Sequence, residues 1–99
     1  MTITHHAKDR IRERGGLPKK AVERSVLRAL QKGLRPEEST GNLRWYFDHL
    51  RRFERNASNI RIHGNYVYIF EMQTLITVYA LPDEYKADMQ QALDRRTRT

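Results

Sequence analysis

The chain contains no cysteine, which removes disulfide frameworks, thiol nucleophiles and thiolate zinc sites at once. No apolar run approaches the roughly 18 residues a membrane helix needs, and no charged-then-apolar leader opens the sequence. A soluble, cytoplasmic chain with no membrane partner is therefore the expectation. Glycine and proline are sparse, at five and three residues; there is no linker and no low-complexity block, and the few that occur punctuate structure. Gly15-Gly16 precedes Leu-Pro and not Lys-Thr, so no glycine-rich phosphate loop is present, and no Ser, His and Asp order suggests acyl transfer.

Acidic charge is also scarce. Twelve Asp and Glu stand against 19 Lys and Arg, a net charge of +7 at pH 7 with a pI near 10.1. Such an excess attracts polyanions, and arginine's forked guanidinium suits phosphate oxygens. RNA or another nucleic acid is the expected partner, set against a plain solubilising surface. Ninety-nine residues make one domain, 1–99, with a core from about 3 to 94 and a basic tail at 95–99 expected to fray.

What is there divides by period. "ITHHAKDRIRERGG" reads as a first helix, with Thr4 as N-cap and a stop at Gly15-Gly16. Pro18 opens a second helix whose Val22, Val26, Ala29 and Leu30 form one stripe, and Gly33 ends it. From Leu43 to Arg55 the residues Leu43, Tyr46, Phe47, Leu50 and Phe53 match a helical period, although Leu43, Trp45 and Phe47 also alternate. The longer period predicts a third helix, with Trp45 off its main stripe.

From Asn59 the period becomes two. Gly64-Asn65 is a hairpin turn of type II′, pairing His63 with Tyr66, Ile62 with Val67, Arg61 with Tyr68 and Ile60 with Ile69. A second turn at Met72-Gln73 would set Ile69 against Ile76, Tyr68 against Thr77, Val67 against Val78 and Tyr66 against Tyr79. One face of the meander is then β-branched: Ile60, Ile62, Val67, Ile69, Ile76 and Val78. The other carries Arg61, His63, Tyr66, Tyr68, Thr77 and Tyr79, with Phe70 and Leu75 at one end. After Pro82, Tyr85, Met89, Ala92 and Leu93 mark a last helix. The predicted fold class is α+β: two or three N-terminal helices on one face of a small antiparallel sheet, a meander of about three strands, followed by a C-terminal helix.

Two candidate surfaces follow. At about 100° per residue, His6, Arg10 and Arg14 share a third of the first helix's circumference with Ile3, Ala7 and Ile11. Three cations at i, i+4 and i+8 could grip a phosphate, with His6 exchanging a proton with a ribose 2′-hydroxyl or leaving oxygen and the arginines stabilising transition-state charge. This chemistry needs no metal and no cofactor. His5 and His6 point about 100° apart, without carboxylates to complete a metal-ligand set. The second surface is the tyrosine face, where Arg61, His63, Tyr66, Tyr68, Thr77 and Tyr79 have the parts of a platform for unpaired RNA. His63 is an alternative base there. Equally, the arginines could pair with Glu13, Glu38 or Glu71, and tyrosines are ordinary on solvated sheets. Helices pack on the β-branched side, so one site can use both surfaces only if the first helix starts at a sheet edge and reaches around it.

His6-Ala7, Arg10 and Arg14-Gly15 form "HAxxRxxxRG", and Leu75 to Pro82 reads "LITVYALP". With the second helix ending at Gly33, these residues resemble a bacterial and phage domain-of-unknown-function family within the barnase and RelE-like ribonuclease superfamily. The resemblance runs from Ile3 to Pro82. It implies N-terminal helices on a small antiparallel sheet and a metal-independent endoribonuclease or mobile-element toxin, with functional positions at His6, Arg10, Arg14, Thr77 and Tyr79. The expected function is that of a small basic RNA-interacting protein, ribonuclease-like or toxin-like. The alternatives are a non-catalytic nucleic-acid-binding protein, or a phage-type inhibitor docking on a host protein through Trp45 and Tyr46. An acidic antitoxin would be a partner of the toxin form.

Overall fold

The structure is a computed structural model that describes residues 1–15 and 19–97, without the side chains of residues 14, 15 and 19. Strand β1 (Thr2–Ile3) leads into helix α1 (His5–Gly15); helices α2 (Lys19–Lys32) and α3 (Gly41–Phe53) follow, separated by a 3-10 turn at Pro36–Glu38. Strands β2 (Asn59–His63), β3 (Tyr66–Glu71) and β4 (Thr74–Ala80) then precede a 3-10 turn at Asp83–Tyr85 and helix α4 (Lys86–Thr97). The fold is α+β, as the periodicities predict. The expected helix start at Pro18 and everything after Gly15 in the first helix's stop lie outside the described residues.

The sheet has four strands, not three, in the order β1-β4-β3-β2. The extra strand is β1, parallel to β4 through Thr2 opposite Thr74 and Ile3 opposite Leu75, which makes the sheet mixed. Two residues are too few to show alternation, so the sequence carries no period-two signal for it. The first hairpin has the expected register, from His63 opposite Tyr66 to Ile60 opposite Ile69, and Gly64 supplies the positive φ of 61°.

The second hairpin departs from expectation. Glu71 faces Thr74 and Phe70 faces Leu75, but an irregularity between Ile69 and Phe70 shifts the rest by one residue. Ile69 therefore faces Thr77, Tyr68 faces Val78, Val67 faces Tyr79 and Tyr66 faces Ala80. A one-residue shift exchanges faces: Val78 joins the tyrosine side, while Thr77 and Tyr79 move to the β-branched side. Leu75 to Val78 is an apolar-tolerant run that reads the same in either register, so nothing in it marks the extra residue.

Helices cover both faces, correcting the one-sided arrangement. Ile60, Ile62, Val67 and Ile69 pack with Leu34, with Leu43, Phe47 and Leu50 of α3, and with Leu81, Tyr85, Met89 and Ala92. On the other side Tyr68, Phe70, Leu75 and Val78 pack with Ala7 and Ile11 of α1 and Val22, Val26 and Ala29 of α2. Each fully buried Leu, Ile, Val or Phe contributes about 1.5–3 kcal/mol; the tyrosine face, on which Phe70 and Leu75 are expected, gains Val78 through the register shift. The tail is not frayed through Thr97: α4 includes Arg95 and Arg96, and Arg96 is tied to Glu38. Among the described residues no helix is long and apolar enough to cross a membrane.

Candidate functional site

The start of α1 is fixed to the sheet by one threonine. The Ala7 amide donates to Thr4 Oγ1 at 3.2 Å, the expected N-cap, and that hydroxyl donates to the Ile76 carbonyl at 3.4 Å. Since β1 pairs only with Thr74 and Leu75, no strand among the described residues covers that side of β4 beyond Leu75. Helix α1 thus begins at the sheet edge, from which Arg10 reaches Tyr79 of the far face. Ala7 and Ile11 are buried, His6 is exposed and Arg10 is half-buried. The Arg10 guanidinium carbon lies 5.8 Å from the centroid of the Tyr79 ring, within cation–π range. The side chain of Arg14 lies outside the described residues.

Tyr79 connects this cation to α3. Its hydroxyl donates to Glu54 Oε1, and Glu54 itself caps α3, its amide donating to the Leu50 carbonyl at 2.7 Å. Burial, followed by the Glu54 acceptor and its charge, pushes the Tyr79 hydroxyl above the ordinary tyrosine range, with Arg10 opposing. Tyr79 therefore stays a protonated donor at neutral pH. Between α3 and β4 opens a concavity of about 330 Å³ lined by Tyr46, His49, Leu50, Phe53, Tyr79 and Ala80. Tyr46 is held by stacking on Tyr85, at 4.5 Å and 21°, and His49 by stacking on Trp45, at 5.6 Å and 11°. A phenol and an imidazole thus line one notch, and the phenol, Tyr79, meets a guanidinium, Arg10, and a carboxylate, Glu54.

The remaining expected residues lie elsewhere. Tyr68 is only 6% exposed, beneath α1 and α2, and Tyr66 packs at the margin of the same core. Thr77 is buried opposite Ile69. Arg61 and His63 sit on β2, on the side that α2 covers. The Arg61 guanidinium donates to the Ile60 carbonyl at 3.1 Å and to Asn59 Oδ1 at 3.4 Å, and burial followed by the neighbouring Arg35 lowers its affinity for a proton. Burial and then Arg28 likewise push the His63 imidazole below its usual range. The open tyrosine platform does not exist, because the register shift and the apolar content of that face bring helices onto it. Of the six platform residues, Tyr79 meets the α1 cation Arg10, from the opposite face.

Two residues of this arrangement escaped the sequence reading. Glu54 follows an arginine pair at the end of a helix, where neither periodicity nor motif singles out a carboxylate. His49 belongs to no motif, although its spacing of four from both Trp45 and Phe53 is a legible stripe. No protein family, curated protein or solved structure matches this chain.

Proposed function

We propose that this protein is a cytoplasmic RNA-interacting protein that cleaves RNA without a metal at the notch bounded by α1, β4 and α3. The observation that carries this reading is Arg10 above the Tyr79 ring while the Tyr79 hydroxyl holds Glu54, in a chain of net charge +7. Arg10 would neutralise the phosphate in the transition state. Glu54, using the carboxylate oxygen that Tyr79 leaves open, would take the proton from a ribose 2′-hydroxyl as its oxygen attacks the adjacent phosphorus. His49 would return a proton to the departing 5′-oxygen, giving a 2′,3′-cyclic phosphate and a free 5′-hydroxyl. His6, one turn before Arg10 on α1, would bind the neighbouring phosphate. The resemblance to the barnase and RelE-like superfamily supports the same class, including a toxin form held by an acidic partner.

Incubation of purified protein with RNA in EDTA tests the reading, beside Arg10→Ala, Glu54→Gln and His6→Ala. Glu54→Gln is expected to slow cleavage by about 100-fold or more with binding retained, and Arg10→Ala by about 100- to 1,000-fold. Cleavage that survives both changes removes the assigned roles. Salt-sensitive binding with no cleavage by the unaltered protein replaces the enzyme with a non-catalytic nucleic-acid-binding protein.

A further inference from the structure

We infer that the outward face of α3, carrying Trp45, His49 and Phe53, is a stacking ladder for the bases of unpaired RNA entering the notch, so that the substrate class is single-stranded. This rests on the preceding reading for the identity of the polyanion, and adds how the strand is selected and held. Leu43, Phe47 and Leu50 turn α3's apolar side to the core. An amphipathic helix then carries polar residues opposite, yet here Trp45 is 60% exposed and Phe53 71% exposed. With exposed His49 between them they recur every fourth residue along one side of the helix.

The ladder joins two openings. Trp45 lines a concavity of about 490 Å³ with Asn42, Glu84 and Tyr85, and Phe53 lines the notch. Between them the Trp45 and His49 rings lie almost parallel, as flat surfaces suited to a planar partner. Eight residues of helix rise about 12 Å, the length of three to four bases at about 3.4 Å each. Arg51, Arg52 and Arg55 are exposed around the Phe53 end, placing positive charge where the backbone of a stacked strand would pass. Charge of this sign favours a polyanion over a neutral protein surface, and rings stack on bases only where those are unpaired. A duplex offers its phosphates and withholds its base faces.

Trp45 is the only tryptophan, so intrinsic fluorescence reads the ladder directly. The probes are a short unstructured pyrimidine RNA made non-cleavable by 2′-O-methylation, an abasic strand of equal length and a blunt duplex, each end-labelled for anisotropy. The base-bearing strand is expected to quench Trp45 along the same isotherm as the anisotropy. Abasic strand and duplex are expected to bind roughly tenfold more weakly without quenching, and Trp45→Ala or Phe53→Ala to weaken the base-bearing strand by roughly tenfold while leaving the abasic strand unaffected. Circular dichroism confirms that both variants are folded. Equal affinity for base-bearing and abasic strands, or saturation without quenching, overturns the ladder even where Arg10- and Glu54-dependent cleavage stands. Quenching without cleavage of ordinary RNA supports the ladder and removes only the catalytic roles. No binding of any strand at low salt overturns both, in favour of a protein contact at Trp45 and Phe53.

Discussion

Gly33 and Met72 occupy positions whose backbone demands are opposite to their side chains' contributions. A Cβ on Gly33 would stand 2.4 Å from the Ala29 carbonyl oxygen and 2.8 Å from Arg61 Cβ, so the end of α2 approaches β2 as closely as it does only because that atom is missing. Met72 turns the second hairpin at φ 56°, a left-handed conformation that costs an L-residue about 1–2 kcal/mol. Its side chain is 75% exposed and does little to offset that. The turn is held instead by its backbone: the Met72 amide donates to Ser58 Oγ, and Asn59 Nδ2 donates to the Met72 carbonyl at 2.8 Å. Exchanging the two residue types should therefore act with opposite signs. Gly33→Ala is expected to destabilise the fold by about 1–3 kcal/mol. Met72→Gly is expected to stabilise it by about 0.5 kcal/mol, the relieved strain being partly cancelled by glycine's unfolded-state freedom. Urea unfolding midpoints check both. The sequence marks Gly33 as a helix stop, but its contact with Arg61 comes from a strand 28 positions later and has no local signature.

Elements are joined here by polar clamps as well as by cores. Near the end of α4, Arg96 donates to both Glu38 oxygens at 2.6 and 2.8 Å, and to the Lys32 and Gly33 carbonyls at 2.7 and 3.2 Å. One side chain thus satisfies the open C-terminus of α2 and anchors the 3-10 turn after it. The Arg96 hydrogen bond holds the Glu38 carboxyl below its ordinary value of 4.5, against the opposing effect of burial. A carboxyl more acidic in the folded chain stabilises it fully above the unfolded value and loses that contribution as pH falls through the folded one. Glu38→Gln should cost about 1–2 kcal/mol at neutral pH, and its difference from the unaltered chain should shrink below about pH 4.5. Thermal melts at stepped pH measure it. Helix periods, the Thr4 cap and the Gly64-Asn65 turn are legible because each depends on neighbours in sequence. The two-residue β1, the shifted β4 register and the Arg96 clamp depend on partners tens of residues away, so local pattern is silent about them.

Over the whole molecule, phenols are built into both layers. Tyr68 lies in the core beneath α1 and α2, while Tyr46 and Tyr79 border the one beneath α3. Burial is the leading cause that raises each of them above the ordinary value of 10.0. A group whose pKa rises on folding contributes stability in full below its unfolded value and loses it as pH climbs through the folded one. Alkaline unfolding should accordingly be cooperative and begin above about pH 10, with tyrosinate absorbance and loss of circular dichroism moving together. Tyr68→Phe should shift that transition to higher pH. The candidate site is legible in part: helical phase singles out His6, Arg10 and Arg14 together, and Tyr79 enters as one of six platform residues and through the resemblance of the Thr-Val-Tyr strand. The meeting of Arg10 with Tyr79 across a sheet edge, with Glu54 as the third member, required the fold. Those three residues also span most of the chain, since Arg10 and Tyr79 meet only where β4 has closed against α1. A nascent chain whose β4 has not yet emerged therefore carries no assembled notch, because Tyr79 is the residue through which Arg10 and Glu54 are joined.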